Sequence, residues 1–220
     1  MADAIGQGEL FESTGEQARV ELGEGVVLLR GFAREAAPEL VRRVGEIAHA
    51  APFGNMQTPG GFTMSVAMTN CGPLGWVSDR SGYRYSANDP ESGKPWPAMP
   101  AGFRELASMA AAEGGFASFN PDACLINRYA PGAKMSLHQD KDEVDFSAPI
   151  VSVSLGLPAV FMLGGLRRKD RPRRMKLEHG DVIVWGGPAR KLYHGVSPMP
   201  DGEHGLTGRV RYNLTFRKAR

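Results

Sequence analysis

Hydrophobic residues follow two different periods along this chain. Over residues 35–51 and 102–113 they recur at helical spacing, which predicts two amphipathic helices. From residue 123 onward the apolar runs are short and are separated by turns rich in glycine and proline, which predicts strands. We expect these strands near residues 123–129, 135–140, 150–156, 159–163, 175–178, 182–185, 191–196 and 209–217.

The part of the chain before the strands is less regular. Residues 1–22 are polar and acidic and predict a flexible arm, whereas residues 25–32 form a short β run closed by glycine. Residues 62–69 alternate between apolar and polar side chains, as a half-buried strand does. Residues 72–100 contain five prolines, and a long irregular segment inside a compact domain is more often a functional lid than filler. We therefore predict a lid over about residues 52–100.

The arrangement of these elements predicts the fold class. About eight short strands, punctuated by tight turns, favour two packed sheets of the jelly-roll type. The two helices would cover one outer face, which gives a mainly β protein with flanking helices (α+β). We expect a single domain over residues 23–220, with its jelly-roll core in residues 120–217.

Composition and charge restrict the cellular location and the kinds of binding partner that the sequence predicts. The formal net charge is only +2, so affinity for a polyanion must come from local clusters of basic residues. The N-terminus lacks the apolar segment of a signal peptide, and no apolar run approaches the ~20 residues of a membrane span. The two cysteines, Cys71 and Cys124, form no disulfide framework and no C-x-x-C motif. These features predict a cytoplasmic protein without a membrane partner. We also expect it to be a monomer.

A possible metal site lies in the segment His138-Gln139-Asp140. Residues i and i+2 of a strand point to the same face, so His138 and Asp140 would project together. With a third histidine they would form the two-histidine, one-carboxylate set that binds non-haem Fe(II). His194 is favoured as the third ligand because it follows a predicted strand and precedes a glycine, at the mouth of the barrel. The alternatives are His49, His179 and His204.

The last strand places polar side chains on one of its faces. Arg211, Asn213 and Arg217 alternate with apolar residues, and so do Asn127 and Tyr129 on an earlier strand. A solvated outer face would explain this pattern simply. Arginines that point into a barrel would instead need anions, and the planar guanidinium suits a carboxylate. Among common cofactors, 2-oxoglutarate would both chelate iron and bind arginine.

Residues 167–176 form a basic segment, with seven basic residues in ten. Such a run is usually a solvated loop. It would also bind a phosphate backbone, and Trp76 and Tyr83 offer surfaces on which bases could stack. A nucleic acid is therefore a plausible partner.

Several stretches in order along residues 25–217 resemble the bacterial AlkB family of DNA-repair dioxygenases. They are MSVAMTNCGPLGW, KPWPAMP, DACLINRYAPGAKMSLHQDKDE, PIVSVSLGLPAVF, EHGDVIVWGG, YHGV and RYNLTFR. The resemblance implies a double-stranded β-helix that uses Fe(II), 2-oxoglutarate and O2. It also implies oxidative demethylation of bases such as 1-methyladenine and 3-methylcytosine in single- or double-stranded DNA, with release of formaldehyde, succinate and CO2. RNA stays open as a further substrate.

The resemblance also implies roles for individual residues. The residues that match the iron ligands are His138, Asp140 and His194. Those that match the 2-oxoglutarate contacts are Asn127, Tyr129, Arg211, Asn213 and Arg217, with Arg211 on the distal carboxylate and Arg217 nearer the metal. Those that match contacts to the damaged base are Trp76, Tyr83, Tyr85, Asp142 and Arg168, on a nucleotide-recognition lid and around it. Because methylation at these ring nitrogens makes the base cationic, the carboxylate of Asp142 would favour it over a neutral base.

Two other functions remain open from the sequence. A related oxygenase could act on RNA or on protein side chains. A cupin-like metal-binding module without oxygenase activity is the alternative from a different class, but it has no need for the pair Arg211 and Arg217.

Overall fold

The structure is a computed structural model that describes residues 18–220. Within that range two helices, α1 (Ala37–Ala50) and α2 (Ala101–Glu113), precede most of the strands. The strands are β1 (Arg19–Gly23), β2 (Val26–Leu29), β3 (Ala67–Cys71), β4 (Gly75–Asp79), β5 (Gly82–Ser86), β6 (Ala123–Tyr129), β7 (Met135–His138), β8 (Ile150–Gly156), β9 (Ala159–Leu163), β10 (Arg173–Leu177), β11 (Val182–Trp185), β12 (His194–Val196) and β13 (Arg211–Arg217). A short 3-10 helix lies at Gly187–Ala189.

The strands form two main sheets that face each other. The larger sheet has seven strands in the order β1-β2-β11-β8-β13-β6-β3, and the smaller has four in the order β10-β9-β12-β7. All neighbouring strands run antiparallel, as in a jelly roll. The jelly-roll fold with flanking helices is therefore confirmed.

Two apolar layers hold these parts together. One lies between the helices and the outer face of the larger sheet and includes Val44, Phe103 and Phe216. The other lies between the two sheets and includes Phe161 and Trp185. Alternation along β13 explains the division, because Leu214 and Phe216 point toward the helices while the residues between them point into the barrel.

The observed elements differ from the predicted ones in a few places. Residues 19–22, which we assigned to a flexible arm, belong to β1, because their backbone pairs with β2 although the side chains are mostly exposed. Residues 1–17 of that arm lie outside the described part of the chain. The strand predicted at 62–69 begins instead at Ala67, where β3 pairs with β6. It is buried throughout, because Cys71 packs in the layer under the helices and Met68 in the layer between the sheets.

The predicted lid contains regular structure that its composition did not indicate. Strands β4 and β5 form a separate hairpin in which Trp76 pairs with Tyr85 and Ser78 with Tyr83. An ion pair of 2.7 Å between Asp79 and Arg84 closes the turn of this hairpin. The hairpin presents Trp76 and Tyr83 as a stacked pair, with ring centroids 5.6 Å apart.

Candidate iron and 2-oxoglutarate site

The three predicted metal ligands meet at one end of the smaller sheet. His138 is the last residue of β7 and His194 the first of β12, and the two are direct partners across these antiparallel strands. Asp140 follows two residues after the end of β7, in a segment without regular structure. Potential ligand atoms of the three side chains lie within 4.8 Å of one another. It is the cross-strand register that brings together two histidines 56 positions apart in the sequence.

The hydrogen bonds of both imidazoles leave the same nitrogen free. Nδ1 of His138 lies 2.8 Å from the carbonyl oxygen of Ser136, and Nδ1 of His194 lies 3.0 Å from that of Leu192. Because a carbonyl can only accept, each Nδ1 carries the proton and each Nε2 keeps a lone pair. The Nε2 atoms lie 3.6 Å and 3.7 Å from the oxygens of Asp140. Backbone contacts of this kind orient histidine ligands in metal sites.

Burial and charge keep His194 and Asp140 in the protonation states that a metal ion requires. Burial and the neighbouring His138 lower the pKa of His194 to about 4, so its imidazole is neutral at pH 7. Burial opposes ionisation of Asp140, but the Arg217 guanidinium, together with His194 and His138, lowers the pKa of that carboxyl. A carboxylate and two imidazoles, each with its Nδ1 held by a backbone carbonyl, fit Fe(II) by their donor chemistry.

Arg217 is turned toward Asp140. Its Nε and Nη2 donate to Oδ2 of Asp140 at 3.0 Å and 2.6 Å, and both side chains are buried. Although burial opposes it, this carboxylate raises the pKa of Arg217. Arg217 thus contacts one of the predicted metal ligands directly, and its contact with 2-oxoglutarate stays a prediction.

The other four predicted 2-oxoglutarate contacts lie on neighbouring strands inside the barrel. Asn127 and Tyr129 of β6 are directly opposite Asn213 and Arg211 of β13, and all four are buried. Nη2 of Arg211 donates to Oγ of Ser154 at 2.9 Å, whereas Nε and Nη1 have no hydrogen-bond partner within the described chain. Burial lowers the pKa of Arg211. A buried guanidinium with two free donors is costly without an anion, so this position suits a ligand carboxylate.

A cavity of about 660 Å³ opens beside the metal ligands. Four of the residues predicted to contact the damaged base lie on its wall: Trp76, Tyr83, Asp142 and Arg168. His138, Asp140 and Arg217 also line it. Nε1 of Trp76 donates to Oδ2 of Asp142 at 2.8 Å, which connects the aromatic pair of the β4–β5 hairpin to the loop that follows β7.

Tyr85 differs from the other four because it is not among the residues that line this cavity. Its hydroxyl donates to Oε1 of Glu143 at 2.6 Å, behind the cavity wall. The structure thus places Tyr85 in contact with the loop after β7. Whether it also contacts a substrate stays a prediction.

Sequence reasoning missed two charged residues of this region, Glu143 and Arg190. Arg190 is 3% exposed; its Nε and Nη1 donate to the backbone carbonyls of Ala148 and Asp140 at 3.1 Å and 2.9 Å. Its Nη2 lies 2.9 Å from Oε2 of Glu143. One guanidinium therefore holds three points of the segment that carries Asp140 and Asp142. The sequence offered no signal, because a charged residue next to a turn is most often exposed.

Comparison with known proteins agrees with this geometry. The model of the 2OG-Fe(II) oxygenase superfamily matches residues 25–217. The alpha-ketoglutarate-dependent dioxygenase AlkB of Escherichia coli (strain K12) is 61% identical over 198 residues, which cover 90% of this chain and 92% of that protein. The chain belongs to the AlkB family of 2OG-Fe(II) oxygenases. As a member it is a dioxygenase that depends on Fe(II), 2-oxoglutarate and O2.

Two further AlkB-like proteins extend the comparison. The nucleic acid dioxygenase ALKBH1 of Mus musculus is 35% identical over 134 residues, which cover 59% of this chain and 34% of that protein. The solved structure described as the structure of OsALKBH1 superposes with a TM-score of 0.80 at 28% identity, covering 91% of this chain and 100% of that one. Within residues 18–220 of this AlkB-family chain, no helix is both long enough and apolar enough to cross a membrane.

Proposed function

We propose that this enzyme demethylates alkylated bases in DNA, with 1-methyladenine and 3-methylcytosine as substrates. The observation that carries the proposal is the composition of the cavity wall. An aromatic surface, Trp76, and a carboxylate, Asp142, share one cavity with His138 and Asp140, two of the three residues assigned to iron. An aromatic ring stacks on a base, and a carboxylate complements the positive charge that methylation at a pairing nitrogen gives to it.

Each group of residues has a task in this reaction. His138, Asp140 and His194 would hold Fe(II), and Arg211 would bind the distal carboxylate of 2-oxoglutarate with Asn127, Tyr129 and Asn213 around it. When bound, iron and 2-oxoglutarate supply oxidation of a C–H bond by O2, with release of succinate and CO2. Once the methyl group on the ring nitrogen is hydroxylated, its carbon leaves as formaldehyde. This restores the unmodified base.

The position of the site explains why the base must leave the double helix. His138 is partly exposed to the cavity, whereas His194 is buried behind it. A base that stays stacked in a duplex cannot enter the cavity, so it has to be flipped out; this costs less where methylation has already broken its pairing. Tyr83 already covers one face of Trp76, so the base would stack on the other face.

We also propose that the enzyme acts as a monomer in the cytoplasm. All residues assigned to the site come from one chain, and both cysteines are free and buried. Nucleic acid as the substrate class is in line with the name of the mouse relative, and DNA is the substrate we favour over RNA. Mass spectrometry of methylated DNA and RNA oligonucleotides, incubated with protein, Fe(II) and 2-oxoglutarate, tests the proposal directly. Absence of demethylation on every oligonucleotide, while 2-oxoglutarate is still consumed, would contradict it.

The charge of Asp142 should discriminate between lesions. We expect Asp142→Asn to lower kcat/KM for 1-methyladenine about ten- to hundredfold, because a hydrogen bond to a charged group contributes about 1.5–3 kcal/mol. The loss on neutral ethenoadenine should be much smaller. Asparagine can still accept from the indole of Trp76, so the substitution removes charge and keeps the contact. Trp76→Phe is the matched control, since it removes the contact and keeps the charge; equal losses on both lesions in Asp142→Asn would refute the charge argument.

Replacement of Arg211 should not lower the stability of the free protein, but it should lower the affinity for 2-oxoglutarate. Arg211→Met removes a buried charge that lacks a carboxylate partner, so the free protein should become more stable, or at least no less stable. Affinity for 2-oxoglutarate should fall by at least about thirtyfold, since truncating one partner of a buried charge pair costs about 2–5 kcal/mol. Thermal unfolding with and without 2-oxoglutarate measures both effects. Arg209→Met, at an exposed arginine two positions earlier, is the control and should change neither.

A further inference from the structure

The excess positive charge of the chain is concentrated in one segment, which reaches the cavity at Arg168. Residues 167–176 contain seven basic residues and one acidic residue, whereas the rest of the chain has fewer basic than acidic residues. These ten residues include the turn between β9 and β10 and most of β10, the edge strand of the smaller sheet. Arg168 on this turn lines the cavity itself.

The acidic residue of the segment builds a turn. Oδ2 of Asp170 accepts from the backbone N–H of Arg167 at 3.1 Å, and Oδ1 accepts from Nε of Arg167 at 3.0 Å. The backbone N–H of Asp170 donates back to the carbonyl of Arg167 at 3.0 Å. Asp170 therefore neutralises one arginine, and the next two residues, Arg168 and Lys169, lie exposed at the tip of a closed turn.

The base of this turn is fixed to the metal site. The backbone of Gly164 donates to the carbonyl of Tyr193 at 2.7 Å, and Tyr193 donates back to the carbonyl of Gly165 at 2.9 Å. Tyr193 immediately precedes the ligand His194. The turn thus keeps a defined position beside the cavity.

Five cations of the segment are exposed and form no ion pair with another residue of 18–220: Arg168, Lys169, Arg171, Arg173 and Arg174. We call them the basic rim. By contrast, Arg42 and Arg43 on α1 are paired with Glu39 and Glu46. Cations that are left free at a cavity mouth are available to an anion outside the protein.

We propose that the basic rim binds the phosphate backbone of the nucleic acid that flanks the flipped nucleotide. This rests on the proposed function, and it extends the binding surface from the single damaged base to several neighbouring phosphates along β10. A nucleic-acid backbone is the occupant that fits, because arginine and lysine contacts to successive phosphates need no particular base sequence. The rim thereby lets the enzyme hold a long strand while the cavity selects the lesion.

The salt dependence of binding tests this proposal. The variant Arg171→Gln/Arg173→Gln/Arg174→Gln removes three charges and keeps Arg168 on the cavity wall. If each makes one phosphate contact, the slope of log affinity against log salt for a duplex falls by about 2.7. Between 50 and 200 mM KCl the wild type would then lose about fortyfold more affinity than the variant. Fluorescence anisotropy with the Fe(II)- and 2-oxoglutarate-loaded protein, without O2, on a 21-base-pair duplex carrying 1-methyladenine gives the measurement.

A matched variant and a short ligand separate the outcomes. Arg42→Gln/Arg43→Gln/Arg104→Gln removes the same charge from the helices, which pack on the opposite side of the larger sheet, and should keep the wild-type slope. On a methylated trinucleotide the rim variant should lose far less affinity than on the duplex. Equal slopes for the rim variant and the wild type, with repair intact, would refute the proposal that the basic rim binds phosphates. The proposed function would stand. If wild-type protein neither binds nor repairs any methylated oligonucleotide, the proposed function itself fails.

Discussion

Asp140→Ala will abolish iron-dependent turnover of 2-oxoglutarate. The substitution removes one of three ligands and leaves Nε and Nη2 of the buried Arg217 without their carboxylate. Breaking a buried ion pair from one side costs about 3–5 kcal/mol, so the variant should also unfold at a lower temperature. Succinate release measures the first effect and thermal unfolding the second. Succinate release at the wild-type rate would exclude the assignment of the three ligands.

Two further variants separate loss of the ligand from loss of stability. Asp140→Asn keeps an oxygen that can accept from Arg217, so it should be more stable than Asp140→Ala and still inactive. Asp142→Ala lies in the same loop but outside the three ligands. It should keep turnover of 2-oxoglutarate in the absence of a base. Calorimetric titration with Mn(II) should show weak metal binding for both Asp140 variants and wild-type metal binding for Asp142→Ala.

Arg190→Met will weaken the metal site without touching a ligand side chain. It removes the donors to the carbonyls of Asp140 and Ala148 and the ion pair with Glu143. We expect a loss of at most about 3–5 kcal/mol in stability, because Glu143 loses one buried partner and keeps Tyr85 and Arg217. Metal affinity should fall about ten- to hundredfold, as for other residues that orient ligands from behind. Calorimetric titration with Mn(II) and chemical denaturation provide the two measurements.

A double variant tests whether Arg190 acts through its charge or through its hydrogen bonds. Arg190→Met/Glu143→Gln removes both charges, so it should recover much of the stability. It should not recover metal affinity, because the backbone carbonyl of Asp140 still lacks its donor. Lys191→Met is the control: Arg190 and Lys191 both face the ring of Phe146, at 5.4 Å and 3.9 Å from its centroid, but Lys191 is exposed. Full recovery of metal affinity in the double variant would limit Arg190 to charge compensation.

The sequence predicted most of the barrel because the barrel follows local periods. The strands at 123–129, 150–156, 159–163 and 182–185 have the predicted bounds. On β13 the pattern left two possibilities, a solvated face or a face turned into the barrel. Arg211 is 1% exposed and Arg217 6%, which settles the question in favour of the interior. Arg209, which the pattern placed on the same strand, lies outside it and pairs with Asp201 at the surface.

Features that depend on distant partners were not predictable. The hairpin of β4 and β5 has little apolar alternation, and the contact of Trp76 with Asp142 joins residues 66 positions apart. The strand predicted at 135–140 ends at His138, so Asp140 owes its position to Arg190 and Arg217 instead of to strand geometry. The prediction placed His194 near the end of a strand, whereas it is the first residue of β12. The strand is short because only His194–Val196 pair with β7 and β9.

The register between β7 and β12 separates the metal site from the surface that we propose binds a nucleic-acid backbone. The histidines are held by that register, whereas the turn that carries Arg168 and Lys169 extends from the neighbouring pair, β9 and β10. A hairpin tip tolerates changes in length and charge that leave the pairing beneath it intact. Substitutions in this turn could therefore change which nucleic acids the proposed surface binds, and at what ionic strength. The oxidation chemistry would stay unchanged. In such a barrel, substrate range and catalytic power can diverge separately.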